Sequence, residues 1–227
     1  AEARMNEESP PDAEAERDRR RGDPDRVKAF TEGVFAIIIT ILVLEISVPA
    51  DLGESGLRRA LEEMGPTLWA WVISFLIVGM YWVWHRDLFA QIRSVNRDVV
   101  WLNLLFLLPT SLTPFAAALL GEYSDEAIAL QVYGGILMLA GFAPVAMYWY
   151  VIRRPSLLFD SPTVRGRRLG LGLAAAPLVV YALAMALAGV APTLSIFVYL
   201  GLPLMYFLLI TLLRKHPETR DEADEYS

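Results

Sequence analysis

From Leu169 to Leu213 the chain carries no Asp, Glu, Lys, Arg or His. As one helix this run would be about 67 Å long, at roughly 1.5 Å per residue. That is more than twice the roughly 30 Å hydrocarbon core of a bilayer. The run must therefore turn back on itself, and Ala188-Gly-Val-Ala-Pro-Thr193 is its natural break, because glycine and proline interrupt helices. Other uncharged runs of spanning length precede it, and 55% of the chain is hydrophobic. The sequence describes an all-α integral membrane protein of one domain, not a soluble globule.

Six transmembrane helices follow from the run lengths. The first four cover Pro24 to Val48, Pro66 to His85, Val99 to Leu120 and Ala127 to Ile152; the last two divide the 169–213 run. The third holds Pro109 and Pro114, which free backbone carbonyls and predict a kink. Between the first two spans, Leu57, Leu61 and Met64 recur at helical spacing in a charged stretch, the pattern of a short helix lying at the membrane interface. Trp69, Trp71, Trp82 and Trp84 sit in pairs near the two ends of the second span, as aromatic belts do. Residues 1–23 lack apolar periodicity and read as a disordered segment. Residues 24–216 form the transmembrane domain, and residues 217–227 an acidic tail.

All Lys and Arg except Arg58 and Arg59 fall in the N-terminal segment, the 85–98 and 153–168 loops and the C-terminal segment. The positive-inside rule then places both termini in the cytoplasm. The net charge of −6 reflects solvated acidic ends rather than a binding field, and no nucleic-acid partner is expected. There is no cysteine, which excludes disulfides, thiolate metal sites and thiol nucleophiles. No cleavable signal peptide is visible, so the first span would serve as the insertion signal.

That first span, RVKAFTEGVFAIIITILVLEISVP from Arg26, concentrates the informative residues. Ile37, Thr40, Ile41 and Leu44 share one helical face that is apolar except for a single hydroxyl. Such a face suits lipid, a packing seam or a narrow pore, and spacing does not choose among them. Arg26, Lys28 and Glu32 stand in the first turns, and charges inside spans are expensive. Lys28 has the length to snorkel to headgroups. Arg26 and Glu32 are six apart, off a common face, so each looks to other helices. His85 and Asn103 end and begin their spans on the same side, and a buried cluster of Arg26, Glu32, His85 and Asn103 would satisfy all four. A lone interfacial histidine touching lipid or water fits His85 equally well. Glu45, near the far end, suits a cation-gathering pore mouth or, more ordinarily, the outer interface.

Arg26-x-x-x-Phe30-Thr31-Glu32, followed by GVFAIIITILVLEI, resembles the first-helix signature of the prokaryotic members of the transmembrane protein 175 family, relatives of the lysosomal potassium channel. That signature is Arg-x-x-x-Phe-Ser-Asp leading into Gly-Val-Phe-Ala-Ile. A second block, YWVWHRDLF and then DVVWLNLLFLLPTSLTPFAAAL, also resembles the family, with His85, Trp101, Asn103, Pro114 and Phe115 in the matching places. The two blocks cover about half the chain. The resemblance implies a homotetrameric, potassium-permeable cation channel in bacterial plasma membrane, with the first helix of each subunit lining a central pore. It also implies a filter of apolar side-chain rings: Ile37 narrowest, Thr40 a hydroxyl ring, Ile41 and Leu44 further constrictions. Arg26, Phe30, Thr31, Glu32, His85 and Asn103 would hold that helix in place. Thr31-Glu32 departs from the family's Ser-Asp: the chemistry survives, but Glu reaches about one methylene further.

No cofactor is expected, K+ being the permeant ion, and the implied partners are further copies of the chain, membrane lipid and monovalent cations. An apolar ring gates by dewetting and selects by pore size and the cost of dehydration, which implies a modest preference for K+ over Na+. The Thr-Val-Gly-Tyr-Gly filter of ordinary potassium channels is absent from the sequence. A secondary transporter is the alternative, since Pro109, Pro114 and Pro203 would mark helices broken around a midplane site; against it, no repeated halves and no charge at mid-membrane depth are visible. An enzyme is not expected: the two histidines are far apart, and HExxH, GxSxG and thiols are missing.

Overall fold

A computed structural model describes residues 22–47 and 54–214. The expected disordered segment is almost wholly, and the acidic tail entirely, outside these residues. The described chain is helical throughout: α1 (Pro24–Leu44), α2 (Glu54–Glu63), α3 (Gly65–Phe89), α4 (Arg97–Thr110), α5 (Thr113–Glu122), α6 (Ala127–Ile152), α7 (Val164–Leu187) and α8 (Pro192–Arg214), with one 3-10 turn at Pro155–Leu157. Among the described residues, five segments are long and apolar enough to cross a membrane: α1, α3, α4 with α5, α6 and α7. A further apolar helix runs from Pro192 to Leu208 within α8. The chain is an integral membrane protein.

Three helix starts have a local cause in a side-chain cap. The Asp23 carboxylate accepts from Asp25 N at 2.9 Å and Pro24 stands at the first position of α1, where a missing N–H is harmless. Asn96 caps α4 by accepting from Val99 N at 3.1 Å, and Thr163 caps α7 by accepting from Gly166 N at 3.1 Å. Three boundaries therefore differ from the hydropathy reading. The first helix stops at Leu44, short of Val48, which is outside the described residues. The second continues through Arg86 and Asp87 to Phe89, because Leu88 and Phe89 are buried and those two charges pair with each other at 2.9 Å. The fifth starts at Val164, so the last turn of the supposed basic loop is helix.

The third span breaks outright at Ser111 and Leu112. Pro114 has no N–H for the Thr110 carbonyl, and the Thr113 hydroxyl donates to that carbonyl instead, at 2.7 Å. Thr110 Oγ1 donates to Phe106 O at 2.6 Å and Ser111 Oγ to Leu108 O at 2.7 Å. Three hydroxyls within four residues, Thr110, Ser111 and Thr113, thus bond backbone carbonyls around the break, as interrupted helices at membrane depth require.

α6 is the central helix, packed on α4, α5, α7 and α8. Tyrosines staple this bundle. Tyr81 Oη lies 3.0 Å from both the Leu137 carbonyl and the Tyr181 hydroxyl, so donating to the first leaves it accepting from the second. Tyr133 Oη meets Ser74 Oγ at 3.0 Å, and Tyr199 Oη donates to Leu130 O at 2.9 Å. Buried hydroxyls in an apolar bundle need such partners. α1 packs on the flank of this bundle, against α3, α4 and α5, and adds Phe35, Ile38 and Leu42 to its core. Where α1 begins, Gly22 and Val95 exchange two backbone hydrogen bonds, at 2.9 and 3.1 Å.

Candidate pore helix and its anchor

α1 has two unlike faces. Thr31, Phe35, Ile38 and Leu42 are buried, a stripe at helical spacing that seats the helix on the bundle. Opposite it, Gly33, Ala36, Ile37, Thr40, Ile41 and Leu44 are exposed. Ile37 is 59% and Leu44 74% accessible, whereas Ile41, nearer the seam, is 39%. The Thr40 hydroxyl donates to the Ile37 carbonyl at 2.9 Å. Its proton is thereby used within the helix, and the oxygen lone pairs face outward. Glu45 is half-buried at the C-cap.

The buried face is anchored by one polar chain. The Thr31 hydroxyl donates to Val27 O at 2.9 Å and accepts from Asn103 Nδ2 at 2.7 Å. Asn103 Oδ1 in turn stands 3.0 Å from His85 Nε2. Since the amide nitrogen of Asn103 donates, its oxygen accepts, and the network assigns a proton to His85 Nε2. All three residues are buried. The imidazole is stacked on Phe89 with centroids 4.2 Å apart and on Phe106 at 6.1 Å, with Phe35 at 6.4 Å. A polar relay enclosed by aromatic rings is rigid, because every member has a partner and no water competes.

The cluster expected from the sequence is therefore smaller within one chain. Thr31, His85 and Asn103 come together. Arg26 and Phe30 are exposed and Glu32 is half-buried, and neither charge makes a side-chain hydrogen bond or ion pair among the described residues. The reason is angular: at about 100° per residue, Phe30 and Glu32 point to either side of Thr31 while Thr31 faces the bundle.

Two polar assemblies escaped the sequence reading. One is the tyrosine set, whose signal was a hydroxyl inside each of several apolar spans. The other joins α4 to the end of α6: Asn96 Nδ2 donates to Tyr150 Oη at 2.8 Å, the Tyr150 hydroxyl donates to Asp98, and Arg154 Nη1 reaches Asp98 Oδ2 at 3.1 Å. Among the described residues no group of His, Asp or Glu is arranged to hold a metal.

The model of the endosomal/lysosomal potassium channel TMEM175 family matches residues 26–114, the segment that contains α1 from Arg26 onward, the break in the third span and all of the Thr31–Asn103–His85 chain. A potassium channel of Streptomyces collinus is 36% identical over 189 residues, 80% of this chain and 90% of that one. The chain belongs to the TMEM175 family. The crystal structure of a lysosomal potassium-selective channel TMEM175 homologue from Chamaesiphon minutus superposes with a TM-score of 0.73 at 27% identity, over 82% of this chain and 96% of that one. A vertebrate relative, the endosomal/lysosomal proton channel TMEM175 of Gallus gallus, is 33% identical over 152 residues, 62% of this chain but 29% of its own length. These relatives are ion channels, and the TMEM175 membership removes the enzyme reading.

Proposed function

We propose that four copies of this chain form a potassium-permeable cation channel in the bacterial plasma membrane, with six spans per subunit and both termini cytoplasmic. Residues 24–216 make the channel domain, and α1 of each copy faces the central axis. The observation that carries this reading is the outward stripe of α1: Ile37, Thr40 and Leu44 stand opposite the face that seats the helix. The potassium channels among the relatives supply the ion.

In the assembly Ile37 forms the narrowest ring, with Ile41 and Leu44 as further apolar constrictions that dewet when narrow. Thr40, its proton committed to Ile37 O, offers four outward oxygens to a partly dehydrated cation. Oxygen lone pairs compensate K+ and Na+ alike, so selectivity rests on ring diameter and stays modest. Glu45 sits at the outer mouth. Arg26, Phe30 and Glu32, without side-chain hydrogen bonds or ion pairs among the described residues, turn toward neighbouring subunits and complete the anchor around α1.

The test is the reversal potential of purified protein in liposomes under opposed K+ and Na+ gradients, for the wild type and Ile37→Asn. A K+-leaning current whose conductance or selectivity changes in the variant supports the filter. An unchanged current in the variant removes Ile37 from it. Saturable, gradient-coupled uptake without a reversal potential would instead make the chain a secondary transporter working around the broken third span.

A further inference from the structure

The outer surface of α6 ends in an arginine that the channel reading does not use. Leu139, Phe142, Ala146, Trp149 and Arg153 fall on one stripe at helical spacing. Contacts fix its direction. Tyr148 packs against α7 at Gly170, Tyr150 bonds to Asn96 and Asp98 of the α4 start, and Val151 is buried. Trp149 therefore points outward, between α4 and α7.

Along this stripe an apolar groove of about 430 Å³ separates α4 from α6, walled by Leu102, Leu105 and Leu112 on one side and Leu139, Phe142 and Ala146 on the other. Its last wall residue on α6, Ala146, stands about one helical turn before Trp149, which is 45% exposed. The Arg153 guanidinium lies 4.1 Å over that indole. Arg154 and Arg86 pair with Asp98 and Asp87, but Arg153 has no carboxylate partner among the described residues. Arg97, Arg165 and Arg168 are exposed at the adjoining helix starts and raise the local positive potential.

We propose that this groove and its arginine hold one anionic phospholipid, an acyl chain lying between α4 and α6 and the phosphate on Arg153. At this depth hydrocarbon chains are the matter available to fill an apolar groove. The guanidinium fork matches phosphate bidentately, and stacking on Trp149 orients it in advance. An anionic headgroup is preferred because a zwitterionic one carries its own ammonium beside the phosphate, which the surrounding arginines repel.

The full-length protein, purified in mild detergent, is titrated with phosphatidylglycerol and with phosphatidylcholine of the same chains, and bound lipid is counted by native mass spectrometry. The expected result is retention of phosphatidylglycerol over phosphatidylcholine in the wild type. Arg153→Gln should weaken phosphatidylglycerol binding about fivefold, as loss of one interfacial charge does, and Arg59→Gln on the amphipathic helix should not. Ala146→Trp, which fills the groove, should displace both lipids at unchanged oligomer mass. Equal retention of phosphatidylglycerol in wild type and Arg153→Gln would overturn the proposal. So would a change of oligomer mass in Ala146→Trp, which would make the groove an interface between copies.

Discussion

Thr31 is the residue through which the candidate pore helix is fastened to its subunit, and its neighbours on the wheel show why one position matters so much. A single hydroxyl accepts from Asn103 and donates to Val27, so the lateral and the axial seat of α1 share one atom. Asn103→Leu leaves the His85 Nε2 proton without an acceptor and removes the donor to Thr31. The expected cost is about 1–3 kcal/mol, the usual penalty for stranding a buried polar group, read as a lower melting temperature in detergent. Thr40→Val is the opposite case. Its hydroxyl is exposed and satisfied locally, so the melting temperature should hold. Conductance should fall about fivefold, the equivalent of roughly 1 kcal/mol for a lost oxygen contact, measured as unitary current in planar bilayers. A variant that melts early and conducts normally would assign Thr40 to packing rather than to the ion path.

The helices show where sequence suffices and where it does not. Run length and breakers marked the apolar segments because hydropathy is a property of the chain taken one residue at a time. The face of α1 was legible for a related reason: a 3.6-residue period is local. The end of α3 slipped by about a turn because Arg86 pairs with Asp87, and such pairing is invisible to a hydropathy sum. Contacts across the bundle were mostly beyond reach, the His85–Asn103 pair being the exception because both are polar residues at the same end of their spans. Tyr81 and Tyr181 are 100 residues apart, and nothing local names one as the partner of the other. Neither could sequence tell that Arg26 and Glu32 turn away from the bundle while Thr31 turns in. The close approach of α6 to α7 and α8 is likewise a tertiary fact with a test. A Cβ on Gly134 would come within 2.1 Å of Tyr199 Oη and 2.5 Å of Met185 Cγ. Met185 can flex, but Tyr199 is fully buried and bonded to Leu130 O. Gly134→Ala should therefore destabilise by about 1–3 kcal/mol, the cost of overpacking. Its neighbour Gly135 has nothing within 4 Å of the same position, and Gly135→Ala should be neutral or stabilise by up to about 1 kcal/mol through helix propensity. Thermal melts of the pair separate the packing effect from the backbone effect.

For the whole molecule the question is what covers the outward stripe of α1: lipid, a packed neighbour or water in a pore. The three differ in one respect that chemistry can read, because a thiol reacts with a charged thiosulfonate only where water lets it ionise and the reagent arrive. The chain has no cysteine, so an introduced one is the sole thiol. Leu44→Cys lies on the stripe, and Leu105→Cys lies on the outer face of α4; the native leucines are 74% and 55% exposed in the single chain. If α1 lines a water-filled path, Leu44→Cys is modified from the aqueous side and the added cation reduces the K+ current, while Leu105→Cys, facing hydrocarbon, stays unmodified. If the stripe faces lipid, both thiols stay silent. If it is a dry seam between copies, Leu44→Cys resists the charged reagent but forms an intersubunit disulfide under mild oxidation without change of current. Only the first pattern agrees with Ile37, Thr40 and Leu44 acting as rings about an axis. It joins the two-faced character of one helix, set by its residues, to the conduction of the assembled channel.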